Sequence, residues 1–125
     1  MNDFLKFRVW DIKNQGYIHD DADYCFIAPY GTVVIGYYGD GEQHDTEYSY
    51  APDEVIVERC TGLKDTTRKL IYEGDITVQP LGINRGVVVW EKKYAAFYKK
   101  VGKISSPLWS CKQKIVGNIH DEVEK

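Results

Sequence analysis

The residues of this chain best suited to chemistry are three histidines, three cysteines, an acidic run and a loop of basic and hydroxyl side chains. His19, His44 and His120 stand far apart, none at the spacing of metal ligands, and neither Cys-x-x-Cys nor His-Glu-x-x-His occurs. Cys60 and Cys111 each lie near basic residues, which could lower a thiol pKa. A lone cysteine in a strand is more often a small buried hydrophobe. His19 with Asp20, Asp21 and Asp23 is the one cluster suited to a cation, but it lacks calcium-loop spacing and reads as an exposed acidic turn. Lys64, Arg68 and Lys69, set among Thr61, Thr66 and Thr67, could hold a phosphate, though without the spacing of a P-loop. These residues assign no catalytic group, no metal ligand and no cofactor. The expectation is a protein that is not an enzyme.

What positions those side chains is a series of short strands. The stretch from Thr61 to Ile76 is the most constrained, and it reads as a long ordered turn between two β-rich runs. Gly62 and Gly74 supply positive φ or close approach there, and Asp75 follows a glycine, where its carboxylate can accept turn amides. Tyr72 and Ile71 anchor the turn against the core. Phe4–Asp11 alternates as a half-buried strand, with Tyr17–His19 as its hairpin partner after a turn at Gly16. Tyr24–Ile27 and Thr32–Tyr38 flank Ala28-Pro29-Tyr30-Gly31, a strong turn signal. Gly39 to Asp53 reads as an acidic loop. Val55–Cys60, Ile76–Gln79, Gly86–Trp90 and Lys114–Ile119 continue the strand pattern, broken at Pro80-Leu81-Gly82 and at a turn, Ser105-Ser106-Pro107. Tyr94–Val101 fits a strand or a short helix, and His120–Lys125 reads as a frayed charged tail. The pattern predicts a mainly β fold, a single compact domain over residues 1–125 of short antiparallel strands, barrel- or sandwich-like, with or without one short helix.

Composition agrees. At 125 residues, 43% apolar and 28% charged, the chain has the make-up of one globular domain. Ten Tyr and three Trp lean it towards strand. No apolar run approaches the ~20 residues that cross a bilayer, so no membrane partner is expected. The start lacks a basic leader followed by an apolar run, and the cysteines are odd in number, which points to a reducing compartment, the cytoplasm. The net charge of −3 hides a split: residues 1–58 carry −9 and residues 59–125 carry +6. The halves can complement each other within one fold or between subunits, or the basic half can face nucleic acid.

Three functional readings follow. The first is a non-enzymatic protein that binds another protein or itself, with a homo-oligomer expected; Tyr37, Tyr38, Tyr48 and Tyr50 would supply an interface patch. The second is single-strand nucleic-acid binding through Lys92, Lys93, Lys99, Lys100 and Lys103 around Tyr94, Phe97 and Tyr98. The third is a pocket that binds or hydrolyses a small phosphorylated ligand near Lys64, Arg68 and Lys69. Arg8 and Trp10 share a strand face and could form a binding surface, but Trp10 and Trp90 are more simply core residues.

Four ordered landmarks carry a resemblance. Lys6-Phe7-Arg8-Val9-Trp10-Asp11 resembles the opening of the YopX family of phage and prophage proteins. Thr61-Gly62-Leu63-Lys64-Asp65 followed by Lys69-Leu70-Ile71-Tyr72-Glu73-Gly74-Asp75-Ile76 is similar to that family's hallmark. Val88-Val89-Trp90 and Ile115-Val116-Gly117-Asn118-Ile119-His120-Asp121 match its later landmarks in order. The chain departs from the family pattern at Arg59-Cys60, where Gln-Tyr is typical, at Thr67-Arg68, where Asn-Gly is typical, and at His120, where Tyr is usual. The resemblance implies a small β protein carried by a phage or prophage, made in the host cytoplasm and able to meet host or phage proteins. It carries over structural landmarks and no functional residue.

Overall fold

The computed structural model describes residues 6–18, 22–39, 45–108 and 112–121. Phe4, His19, Asp20, Asp21, His44, Cys111 and Lys125, named above, lie outside the described residues. The strands are β1 (Phe7–Asp11), β2 (Gly16–Tyr17), β3 (Tyr24–Ile27), β4 (Val33–Tyr37), β5 (Thr46–Tyr50) and β6 (Val55–Lys64). They continue as β7 (Leu70–Tyr72), β8 (Asp75–Val78), β9 (Gly86–Glu91), β10 (Ala96–Val101), β11 (Ile104–Pro107) and β12 (Lys114–Asn118). They form three sheets, ordered β2-β1-β6-β7, β3-β4-β5 and β11-β10-β9-β8-β12, and every pairing described is antiparallel. The fold is mainly β, as strand-forming residues and close-set turns predict. No helix among the described residues is long and apolar enough to cross a membrane. The backbone falls into two compact units, Val9–Val57 and Met1–Arg8 with Glu58–Lys125, and β1 and β6 run from one into the other.

In the unit Val9–Val57, β4 is the central strand of its sheet, and Val33, Val34 and Ile35 are buried. The Tyr24 ring lies across Gly36, where any Cβ would collide with it, and its hydroxyl donates to Glu47 Oε1 at 2.7 Å. That bond pushes the Tyr24 hydroxyl pKa up to about 12. Trp10 is buried and meets Tyr17 edge to face, 5.0 Å between centroids. The stretch from Gly39 to Asp53 is not all loop, because β5 occupies Thr46–Tyr50. Its acidity hid a β-forming alternation, Thr46, Tyr48 and Tyr50, in register with Tyr37, Ile35 and Val33.

In the other unit, β8, β9, β10 and β11 form a meander and β12 returns beside β8. Its core includes Cys60, Ile71, Thr77 and Val88. The turn expected at Ser105-Ser106-Pro107 is strand β11 instead. Gly102, at φ 61, makes the turn, and Pro107 is tolerated because β11 is an edge. Tyr94 to Val101 resolves as a turn leading into β10. Pro80-Leu81-Gly82 repeats the form of Pro29-Tyr30-Gly31. In each, proline precedes a non-glycine residue of positive φ (Tyr30 at 71°, Leu81 at 69°), the signature of a type II turn. Ile119–Asp121 forms a single 3-10 turn. His120 and Asp121, expected in a frayed tail, are thus ordered.

Candidate functional site

The turn from β7 to β8 gathers charges from distant parts of the chain. Asp75 opens β8, Glu58 comes from β6, Arg8 from β1 and His120 from the turn after β12. Arg8 Nε donates to Glu58 Oε1 and Arg8 Nη2 to Asp75 Oδ1, each at 2.7 Å. The second oxygen of Asp75 accepts the Tyr72 N–H at 2.8 Å, and the second oxygen of Glu58 lies 2.7 Å from His120 Nε2. Arg8 also sits 4.7 Å over the Tyr72 ring. The carboxylates of Glu58 and Asp75 are each only 3% exposed, so the network is a buried one. Burial pushes the Asp75 carboxyl above its ordinary range, against the pull of the Tyr72 N–H and Arg8. Burial pulls Arg8 down, but Asp75 and Glu58 outweigh it and hold the guanidinium above its usual value.

Gly74 is what lets this network close. It sits at φ 87, and a Cβ there would stand 2.9 Å from Glu58 Oε2. Its N–H donates to Val88 O and its carbonyl accepts from Ile119 N–H, so the turn is tied on both sides. All four oxygens of Glu58 and Asp75 are engaged within the network. The arrangement is a clamp. Among the described residues, no group of three or more His, Cys, Asp and Glu side chains is placed to hold a metal ion.

Beside the clamp lies a groove of about 620 Å³ between the edges of β7 and β12, lined by Arg8, Lys69, Tyr72, Asp75, Ile115 and Asn118 among others. A second cleft of about 360 Å³ lies under Pro80 and Leu81, lined by Lys112 and Lys114, and Val116 lines both.

The basic residues singled out in the sequence separate. Lys64, Arg68, Lys69, Lys92, Lys93 and Lys100 are exposed. Of these only Lys69 lines the groove, and Lys93 lies 5.5 Å over the Tyr94 ring. Tyr94 stacks on Tyr98, and Phe97 packs edge to face on Trp90. Gly62 lies inside β6 rather than in the turn, at φ 82, within the register shift between Cys60 and Lys64. Arg68 stands at φ 74 in the loop whose family pattern has glycine. Arg68→Gly should therefore stabilise the fold by about 0.5–1 kcal/mol in urea unfolding, since glycine adopts that conformation without a Cβ clash.

Lys99 is not a surface residue. It shares the inner face of β10 with Phe97, is 4% exposed, and donates to Gln113 Oε1 at 2.8 Å. Thr77 donates to the same oxygen at 2.9 Å. No carboxylate pairs with Lys99 among the described residues, and burial pushes its ammonium below the ordinary range. A buried charge with one neutral partner is destabilising, so Lys99→Met should raise stability by about 1–3 kcal/mol at neutral pH. The folded state sheds this proton at a lower pH than the unfolded chain does. Wild-type stability should therefore climb as pH rises from the lowered folded value towards 10.5, and the variant should lose that climb in urea titrations.

Gly74 lies in the turn and Asp75, expected as a turn residue, is the first residue of β8 and accepts the Tyr72 N–H; sequence reasoning did not join Glu58, His120 or Gln113 to them. The available signal was a carboxylate two residues before Cys60 on β6, both of them buried.

A family model described as YopX protein matches residues 6–125. The chain is similar in fold to the crystal structure of protein yopX from Bacillus subtilis, with a TM-score of 0.61 over 98% of this chain and 96% of that one, at 17% identity. Likeness at that identity speaks for the fold alone. No curated protein matches the chain. Since the family match runs from the residue before the strand of Arg8 to beyond the turn of His120, the chain belongs to the YopX family.

Proposed function

We propose that this protein is a non-enzymatic accessory protein of a phage or prophage, acting in the host cytoplasm by association, with a second copy of itself as partner through the β3-β4-β5 sheet. One observation carries the reading. The edge strand β5 is exposed from Thr46 to Ser49, contains no lysine, proline or bulge, and its N–H groups have no partner among the described residues beyond β4. Such an edge is a template for pairing with another chain. Phe26 and Ile27 (each 48% exposed), Tyr38 and Tyr48 add aromatic and aliphatic area on the same sheet and the strand end beside it. The filled carboxylates of the Arg8 clamp support a role without chemistry of its own.

Sedimentation velocity from 1 to 100 µM tests it. Pairing of one acidic edge with its copy brings like charges together, so the dimer should strengthen as salt rises from 20 to 300 mM. Ser49→Lys and Tyr48→Lys should each shift the protein to monomer. A monomer at every concentration in both salts, or a dimer that ignores both substitutions, rules the reading out.

A further inference from the structure

Two clefts share Val116 as a lining residue, and we infer that together they form one path that binds single-stranded nucleic acid. Lys69 lines its larger part, and Lys112 and Lys114 line the smaller. All three are exposed, and none has a side-chain partner among the described residues. Among the described residues the one carboxylate lining the path is Asp75, and its oxygens are taken by Arg8 and the Tyr72 N–H. The path thus presents three cations beside carboxylates already engaged by Arg8 and by backbone amides, in a unit whose half of the sequence carries +6.

The rim argues for a nucleic-acid strand over an acidic peptide. A peptide would add to the β12 edge by main-chain hydrogen bonds. That edge is stoppered: Asp65 Oδ2 accepts the Ile115 N–H and Asp121 Oδ2 accepts the Asn118 N–H, each at 3.0 Å. What remains open is side-chain surface. The register shift between Ile115 and Gly117 leaves the Val116 side chain 42% exposed between the clefts. Leu81 is 99% exposed at φ 69, and Lys112 stands at φ 50. Two strained residues lining one cleft fit the tendency of backbone strain to gather at binding sites. Pro80, Leu81 and Val116 offer apolar contact and Tyr72 an aromatic ring beside the lysines, and single strands pair charge with an aromatic surface in this way.

The test is fluorescence anisotropy of a labelled oligothymidylate 15-mer with the full chain, from 50 to 300 mM salt. Three phosphate contacts predict a log–log salt slope of about −2. Lys69→Ala, Lys112→Ala and Lys114→Ala should each flatten the slope by about 0.7, and the triple variant should abolish binding. Leu81→Ala should weaken binding with the slope unchanged, and Lys92→Ala with Lys93→Ala should change nothing. Independently of any variant, oligothymidylate should shield Lys69, Lys112 and Lys114 of the wild-type protein from acetylation. No binding at 50 mM salt, a slope of zero, equal displacement by polyglutamate, or loss that follows Lys92 and Lys93 each overturns the inference. Ser49→Lys should leave oligonucleotide binding intact, so a failure of this inference is distinguishable from a failure of the dimer.

Discussion

Arg8→Met is expected to lower the stability of the fold by about 3–5 kcal/mol at neutral pH, the range measured when one partner is removed from a buried ion network. Methionine keeps most of the side chain's apolar bulk, so the loss isolates the charge. Without the guanidinium, Glu58 and Asp75 remain buried at 3% exposure, with two negative charges and two hydrogen bonds fewer. The contact over the Tyr72 ring goes as well. For a chain of this length the loss corresponds to a fall of roughly 10–20 °C in melting temperature. The pH dependence separates this cause from simple loss of packing. Burial already holds Asp75 above its ordinary value in the wild type, so the folded state takes up its proton first as pH falls. Stability linked to Asp75 is therefore present at acid pH and declines as pH rises through its folded value. Removing Arg8 takes away a group that pulls this value down. The deficit of the variant should be largest near pH 7 and shrink towards pH 4, as Asp75 becomes neutral. Urea unfolding across that range measures it, and a deficit independent of pH would mean that the clamp acts through shape alone.

The parts of this site that local sequence revealed are those that local geometry makes. Glu73-Gly74-Asp75 reads as a turn because glycine adopts φ 87 and an aspartate after it can accept the Tyr72 N–H three residues back. Arg8, Glu58 and His120 could not be joined to it in that way. Their contacts span 50 to 67 residues, and pairing over such distance leaves no periodicity to read. Lys99 shows a different limit. It lies in a run of basic residues, and charge alone assigns it to the surface. The period of two along β10 places it with Phe97, against Val88 and away from Lys100. Strand β5 was obscured for the converse reason, since acidic neighbours outweighed an alternation only five residues long. Strand β11 was lost because serine and proline signal turns more often than edges. The mainly β fold survived these errors because it rests on many short segments, none of which has to be right alone.

Asp65→Ala is expected to cost about 3 kcal/mol, and the reason is a single carboxylate that finishes two separate pieces of backbone. Its Oδ1 accepts the Thr67 N–H at 2.8 Å, the Thr67 hydroxyl at 2.7 Å and the Lys69 N–H at 2.9 Å. Its Oδ2 accepts the Ile115 N–H at 3.0 Å, fifty residues further on. The residue is 7% exposed, so alanine leaves three amides short of an acceptor at about 1 kcal/mol or more each. Burial pushes the Asp65 carboxyl up, but the amides of Ile115, Lys69 and Thr67 and the Thr67 hydroxyl outweigh it and hold it below its ordinary value. The unfolded chain therefore binds this proton first. The contribution of Asp65 is full above its ordinary value of 3.8 and is lost as pH falls through the lower folded value. Asp65→Asn keeps one acceptor oxygen, so it should recover part of the stability and none of the acid dependence. Hydrogen exchange locates the effect. In Asp65→Ala, protection should fall at Thr67 and Lys69, and also at Ile115, which has no sequence proximity to the substitution. Unchanged protection at Ile115 would mean that the loop and the β12 edge are held independently. A joint loss shows that one aspartate both shapes the family's hallmark turn and closes the strand edge that would otherwise accept another chain.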